Sequence, residues 1–155
     1  MAGIKVRKAE KKDFKQVAAL CEQLGYHYPM KSIKKKFRKV SKSKNEALLV
    51  ACEGKSVLGW THISIYNMIY YQKLGNILGL IVDQNARGKG AGKLLMAAAE
   101  KWAKKKGCAG VIVNSAESRK DAHTFYEKIG YRLVKRQERY YKEVVETSEP
   151  AASGS

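Results

Sequence analysis

At 155 residues the chain suits one compact domain with its own core and is short for two. Hydrophobic residues at 45% and charged residues at 29% exclude wholesale disorder and a collagen-like fibre, and no apolar run approaches the roughly 18 residues of a membrane span. Thirty-one Lys and Arg against 14 Asp and Glu give a formal charge of +17, which favours polyanionic partners such as nucleic acid, acidic protein or a phosphorylated cofactor, and disfavours polycationic ligands such as aminoglycosides or polyamines.

Ile4 to Lys8 alternates as a short half-buried strand. Asp13 is placed to cap a helix whose apolar face is Phe14, Val17, Ala18, Leu20, Cys21 and Leu24, with Gly25 as its stop. An aromatic loop, Tyr26 to Met30, leads to a second helix capped by Ser32. Ile33, Phe37 and Val40 form its apolar stripe, and Lys34, Lys35, Lys36, Arg38 and Lys39 surround the rest. Ala47 to Cys52 and Val57 to Tyr66 read as a hairpin around Glu53-Gly54-Lys55. After a Tyr-rich stretch, residues 73 to 83 form a nearly continuous apolar strand, which is expected to be central. Glycines 88, 90 and 92 precede a helix over Lys93 to Lys106, and Gly110 to Asn114 is the buried parallel strand after it. Ser118 and Asp121 suit a capping box for a helix from about Arg119 to Ile129. Tyr131 to Lys135 and Arg139 to Val145 read as a closing hairpin.

The expected fold is therefore α/β (α+β), a mixed sheet of about six or seven strands flanked by about four helices. It is expected as a single domain over 1–146, with a disordered tail over 147–155. Cys21, Cys52 and Cys108 are odd in number and widely spaced, so buried thiols are expected rather than disulfides or a zinc site. The N-terminus lacks the long apolar stretch of a secretory signal, and a cytoplasmic location is the expectation.

Chemistry concentrates where the long apolar strand hands over to a helix. Unpaired amides and the positive helix end converge there on one anion site. Spacing discriminates between phosphate motifs. A Walker loop ending at Gly92-Lys93 needs glycine at 87 and Ser or Thr at 94, where the chain has Arg87 and Leu94. A dinucleotide fingerprint needs Gly-x-Gly-x-x-Gly and an acid about 20 positions on; the glycines here fall as Gly-x-Gly-x-Gly and residues 110 to 115 carry no acid. The pattern Arg, two residues, Gly, one residue, Gly is met by Arg87, Gly90 and Gly92.

With that loop, the segment Leu80-Ile-Val-Asp-Gln-Asn-Ala-Arg-Gly-Lys-Gly-Ala-Gly-Lys-Leu-Leu resembles the pyrophosphate-binding strand-loop-helix of the GNAT superfamily of acyl-CoA-dependent N-acyltransferases. Ala122-His-Thr-Phe-Tyr-Glu-Lys-Ile-Gly-Tyr131 is similar to the family's later helix, and the order of elements agrees from residue 4 to about 145. The resemblance implies an enzyme moving an acetyl group from acetyl-CoA to a primary amine by direct attack. It implies pyrophosphate binding by Arg87, Gly88, Lys89, Gly90, Ala91, Gly92 and Lys93, and main-chain contacts to pantetheine from Leu80, Ile81 and Val82. It also implies Tyr126 as proton donor to the thiolate, and a homodimer. No metal is called for.

One element departs from the family pattern. Many relatives carry a carboxylate on the strand before the glycine loop, but the comparable positions are Asn76 and Leu78. His62 on the preceding strand is then the alternative general base, because histidine titrates near neutrality. His123, three residues before Tyr126, is assigned to CoA contact. Tyr26, His27, Tyr28 and Met30, with Tyr66, Tyr70 and Tyr71, are candidates for the acceptor pocket. Two other functions stay open: an acetyl-CoA sensor without turnover, suggested by the missing carboxylate, and a basic nucleic-acid-binding domain using Lys31 to Lys44.

Overall fold

The computed structural model describes residues 3–146, so the expected tail 147–155 lies outside the described residues. The chain divides into two compact units, the first ending at Val113 and the second starting at Asn114. In the first unit the elements run β1 (Lys5–Lys8), α1 (Phe14–Glu22), α2 (Met30–Lys42), β2 (Glu46–Glu53), β3 (Ser56–Tyr66), β4 (Leu74–Val82), α3 (Ala91–Lys105) and β5 (Gly110–Val113). The second contains α4 (Lys120–Lys128).

The strands make one sheet in the order β1-β2-β3-β4-β5, antiparallel throughout except for the parallel β4–β5 pair that α3 connects. Strand alternation sends Val50, Cys52, Trp60 and Ile81 to one face, where they pack with Val17 and Leu20 of α1 and Phe37 of α2. Phe14 and Phe37 meet edge to face at 5.4 Å. The Trp60 indole N–H donates to the Val17 carbonyl at 3.3 Å and ties α1 to the sheet. A Cβ at Gly79 would come within 2.9 Å of the Trp60 ring, so glycine there leaves room for the tryptophan against β4. Helix α3 buries Leu95, Met96, Ala99, Trp102 and Ala103.

The described residues hold five strands rather than six or seven. No strand forms over 131–135 or 139–145. The alternation is present there, but Leu133, Val134, Tyr140 and Val144 are exposed, and Arg136-Gln137-Glu138 offers no residue suited to the positive φ of a tight hairpin turn. A strand with neither ladder nor buried face has nothing to hold it.

Capping also differs from the spacing-based expectation. Helix α2 starts at Met30 after Pro29 rather than at Ser32, and the Ser118 box is not formed, since Arg119 is the residue before α4. Of the cysteines only Cys52 is buried; Cys21 and Cys108 are half-buried. Asp13 precedes α1 but makes no cap bond to it. Its carboxylate instead takes a two-pronged bond from Arg7, at 2.7 and 2.9 Å, and accepts from the Glu10 amide at 2.7 Å. At 3% exposure Asp13 is a buried acid, and the Arg7 guanidinium holds it below the ordinary carboxylate range. Its native value is depressed, so this stabilisation is present above the unfolded value and is lost as pH falls through the folded one. Asp13→Asn is expected to cost about 2–4 kcal/mol at neutral pH, less than a fully buried pair because Arg7 is partly solvated. Thermal melts taken at decreasing pH should show parent and variant converging in acid.

Candidate active site

The loop between β4 and α3 is built by local hydrogen bonds. Asp83 closes a 3-10 turn over Gln84–Ala86 by accepting from the Asn85 amide at 3.0 Å, and Ala86 is buried as an anchor beneath it. Gln23, at the end of α1, accepts from the Gln84 amide at 3.1 Å, so the α1–α2 connection begins beside this turn. Gly88 and Gly90 both adopt positive φ, +85° and +86°, and Gly90 is the residue before α3. Alternating left-handed residues turn successive N–H groups to one side, as in anion-binding nests. No side chain caps α3, and its ladder starts only with the Leu94 amide donating to Gly90. The amides of Ala91, Gly92 and Lys93 are therefore free of intrahelical partners at the positive helix end. Lys89 makes one exposed ion pair, to Glu53 at 3.6 Å.

Strand β4 leads into this loop. Its ladder with β5 runs from Leu74↔Gly110 to Ile77↔Val113 and stops. From Leu78 to Val82 the main chain on that side has no partner strand among the described residues, which includes Leu80, Ile81 and Val82. Against β3 the register slips between His62↔Gly79 and Ile63↔Ile77, leaving Leu78 as the extra residue, 53% exposed. An unpaired, locally bulged strand edge is a place where an extended chain of amides can bind.

His62 does not stand alone. Its Nε2 lies 2.9 Å from Glu46 Oε1, and both side chains are 25% exposed. In the register Glu46 opposes Ser64 and Leu48 opposes His62, so Glu46 and His62 are diagonal neighbours on one face. A carboxylate accepts only, so Nε2 carries the hydrogen and donates it to Glu46. Glu46 was missed in the sequence reading because the strand was started one residue late, at Ala47. Running the hairpin back from Gly54 in simple register pairs position 46 with 63; only the bulge between Ala51 and Cys52 sets Glu46 opposite Ser64 and beside His62. Asn76, where the family's carboxylate was sought, opposes Ser64 on β4; its Oδ1 is buried with no hydrogen-bond partner among the described residues.

In the second unit, Tyr126 sits on α4 between the rings of Phe125 at 5.3 Å and Tyr131 at 6.0 Å. Burial pushes its phenol above the ordinary value, against a smaller opposing effect of Arg119. His123 Nε2 donates to the Ala116 carbonyl at 2.8 Å, tying the turn into α4. Around the acceptor side of the first unit, Tyr26, Met30, Tyr66, Tyr70 and Tyr71 are exposed, and Tyr28 stacks under Lys36 Nζ at 4.5 Å. No cluster of three metal-ligating side chains occurs among the described residues, and no helix there is long and apolar enough to cross a membrane.

A family model described as "Acetyltransferase (GNAT) family" matches residues 12–131. An uncharacterized N-acetyltransferase, YhdJ of Bacillus subtilis, is 41% identical over 58 residues, covering 37% of this chain and 41% of that protein. Glucosamine 6-phosphate N-acetyltransferase of Trypanosoma brucei brucei is 39% identical over 66 residues, 43% of each. Both matches thus span less than half of the curated relative. The aminoglycoside N-acetyltransferase AAC(6')-Iy, solved in complex with CoA, superposes with a TM-score of 0.85 over 92% of this chain and 96% of that one at 18% identity, a likeness of fold.

Proposed function

Because this chain belongs to the GNAT acetyltransferase family, whose model covers most of its length, we propose that it transfers an acetyl group from acetyl-CoA to a primary amine by direct attack in a ternary complex. The carrying observation is the pairing of a partner-free amide loop at the α3 N-terminus with the unpaired run of β4 that leads into it. Pyrophosphate is a doubly charged acceptor of hydrogen bonds. It suits the amides of Gly88 to Lys93 and the cations of Arg87, Lys89 and Lys93. Pantetheine carries two amides and suits the main chain of Leu80, Ile81 and Val82 as an added strand. His123 is assigned a CoA contact.

The reaction forms a C–N bond and breaks the C–S bond of the thioester. The neutral amine attacks the acetyl carbonyl, charge collects on its oxygen, and collapse of that oxyanion expels the CoA thiolate. His62 Nδ1 takes the proton that nitrogen sheds, and Glu46 holds the ring in the tautomer that can do so. Tyr126 returns a proton to the thiolate; burial keeps its phenol protonated, and so able to donate, across neutral pH. The Glu46–His62 pair also supports turnover over a sensor role, since it supplies the carboxylate that the β4 positions lack.

The acceptor is proposed to be a neutral or anionic amine that enters past Tyr26, His27, Tyr28 and Met30 and the Tyr66, Tyr70 and Tyr71 side. A formal +17 opposes polycations, so the aminoglycoside of the AAC(6')-Iy comparison is not carried over. Incubation with acetyl-CoA and a panel of amines, amino acids and phosphorylated amino sugars, followed by free thiol, tests the reading. Thiol release dependent on an amine supports it; tight CoA binding with no release from any amine would leave the sensor. Tyr126→Phe is expected to lower kcat about 10- to 100-fold with little change in acetyl-CoA affinity. In the parent, the alkaline fall in rate should lie above the ordinary tyrosine range.

A further inference from the structure

Acetyl transfer as proposed uses only Met30, the first residue of α2, and leaves the rest of this strongly charged helix without a task. Lys31, Lys34, Lys35, Lys36, Arg38, Lys39 and Lys42 are all exposed, and no acidic residue lies between Glu22 and Glu46. None of these cations is ion-paired to a carboxylate among the described residues. A solvated face of a stable helix normally mixes signs, which gains i,i+4 pairs and avoids self-repulsion. This face does neither, and the repulsion is a standing cost that a polyanion would remove.

The apolar side of α2 narrows the choice of partner. Phe37 is buried in the sheet core against Phe14, and Ile33 and Val40 are half-buried on the same side. An amphipathic helix binds a membrane by inserting its apolar face, and here that face is already occupied. Single-stranded nucleic acid is held by stacking on aromatic rings, but the outer arc of α2 carries none, and the neighbouring Tyr28 ring is covered by Lys36.

At 3.6 residues per turn the sequence Lys34, Arg38, Lys31, Lys42, Lys35, Lys39, Lys36 sweeps about 200° of the helix surface. Cations therefore occupy the crest and both flanks, along a length of about 16 Å from Lys31 to Lys42. A single phosphate would use only two or three of them. A cylinder about 10–12 Å across with positive charge on both sides matches the B-DNA major groove, about 12 Å wide and walled by phosphates on both strands. The deep, narrow A-form groove does not admit it. We infer that the outer face of α2 docks on the phosphate walls of duplex DNA without reading its sequence, a second binding function carried by the same chain. Nothing in this inference depends on the acetyl-transfer reading.

Anisotropy titration of a labelled 20-base-pair duplex DNA at several salt concentrations tests it on the full chain. Log affinity should fall with log salt at a slope of about −4 to −6, from about five or six phosphate contacts. The variant Lys31→Glu/Lys35→Glu/Arg38→Glu/Lys42→Glu should bind at least tenfold more weakly and lose about 3 to 4 units of slope. Its thermal shift with CoA should match the parent and its melting temperature should be no lower, since no buried side chain or glycine-loop residue is touched and like-charge repulsion along α2 is relieved. The exposed α3 variant Lys101→Glu/Lys104→Glu/Lys105→Glu, set beside the three-site α2 variant Lys31→Glu/Lys35→Glu/Arg38→Glu, controls for net charge and should bind within about threefold of the parent. Equal losses in these two variants would overturn the α2 assignment, as would an unchanged affinity in the four-site one. Displacement of the DNA as readily by polyglutamate or by duplex RNA at equal charge concentration would overturn the groove fit.

Discussion

Gly90→Val is expected to abolish coenzyme A binding at concentrations where the parent saturates, while the chain keeps its fold. Gly90 holds φ at +86° immediately before α3, a conformation that places a β-branched side chain against the following carbonyl. A Cβ there meets no neighbour within 4 Å, so the penalty comes from the backbone and not from crowding. The strain, about 1–2 kcal/mol, is relieved if the peptide rotates back to negative φ. That rotation turns the loop amides away from the point where they converge, and the affinity lost is larger than the strain, because several charge-assisted bonds go together. A fall of at least 100-fold in CoA affinity by calorimetry is expected. Gly107→Val, at φ +81° near the far end of α3, is the matched control. It should lose a similar margin of stability and bind CoA as the parent does. Equal affinity loss in both variants, or none in Gly90→Val, would show that the loop does not hold the nucleotide.

The loop's place between an apolar strand and a helix was legible from spacing. Glycine in such a turn permits positive φ, and Gly88 and Gly90 adopt it. The apolar strand over 73–83 was expected to be central, but β3 holds that place; β4 lies beside β5, which pairs only with Leu74 to Ile77, and Leu80 and Val82 are half-buried. Legibility failed where an outcome depends on which of several partners wins. Asp13 looks like a helix cap by position, but Arg7 comes from β1 and offers two charge-assisted bonds where the cap offers one weaker bond. Register is likewise not a local property. Glu46 and His62 lie 16 positions apart, and their meeting depends on a bulge at Ala51/Cys52 that no residue announces. Over residues 131–145 the opposite error arose, since alternation was read as a strand where no neighbouring ladder forms among the described residues.

That pair carries the second large effect. His62→Ala is expected to lower kcat for amine acetylation by about 10²–10⁴-fold, the range general bases contribute, with the KM for acetyl-CoA changed by less than about threefold. The split follows from position: His62 is on β3 opposite Gly79 and not in the loop proposed to take the phosphates, so its loss is expected to remove proton transfer and not donor binding. Glu46 touches no reacting atom and acts through the ring, so its variants separate positioning from packing. Glu46→Gln retains the size and one acceptor oxygen, but its amide can turn a donor toward Nε2 and stabilise the tautomer with the proton on Nδ1. A ring protonated on Nδ1 cannot receive a proton there. A fall of about 10- to 100-fold in kcat, with unchanged melting temperature and unchanged KM for acetyl-CoA, is the expected signature. Were the pair only a strut between β2 and β3, Glu46→Gln would lower the melting temperature and leave kcat per folded molecule where it was. An acceptor amine already neutral at the assay pH supplies an internal check. It sheds its proton only after attack, so the penalty of His62→Ala should shrink as the amine's own pKa is lowered across a series of acceptors.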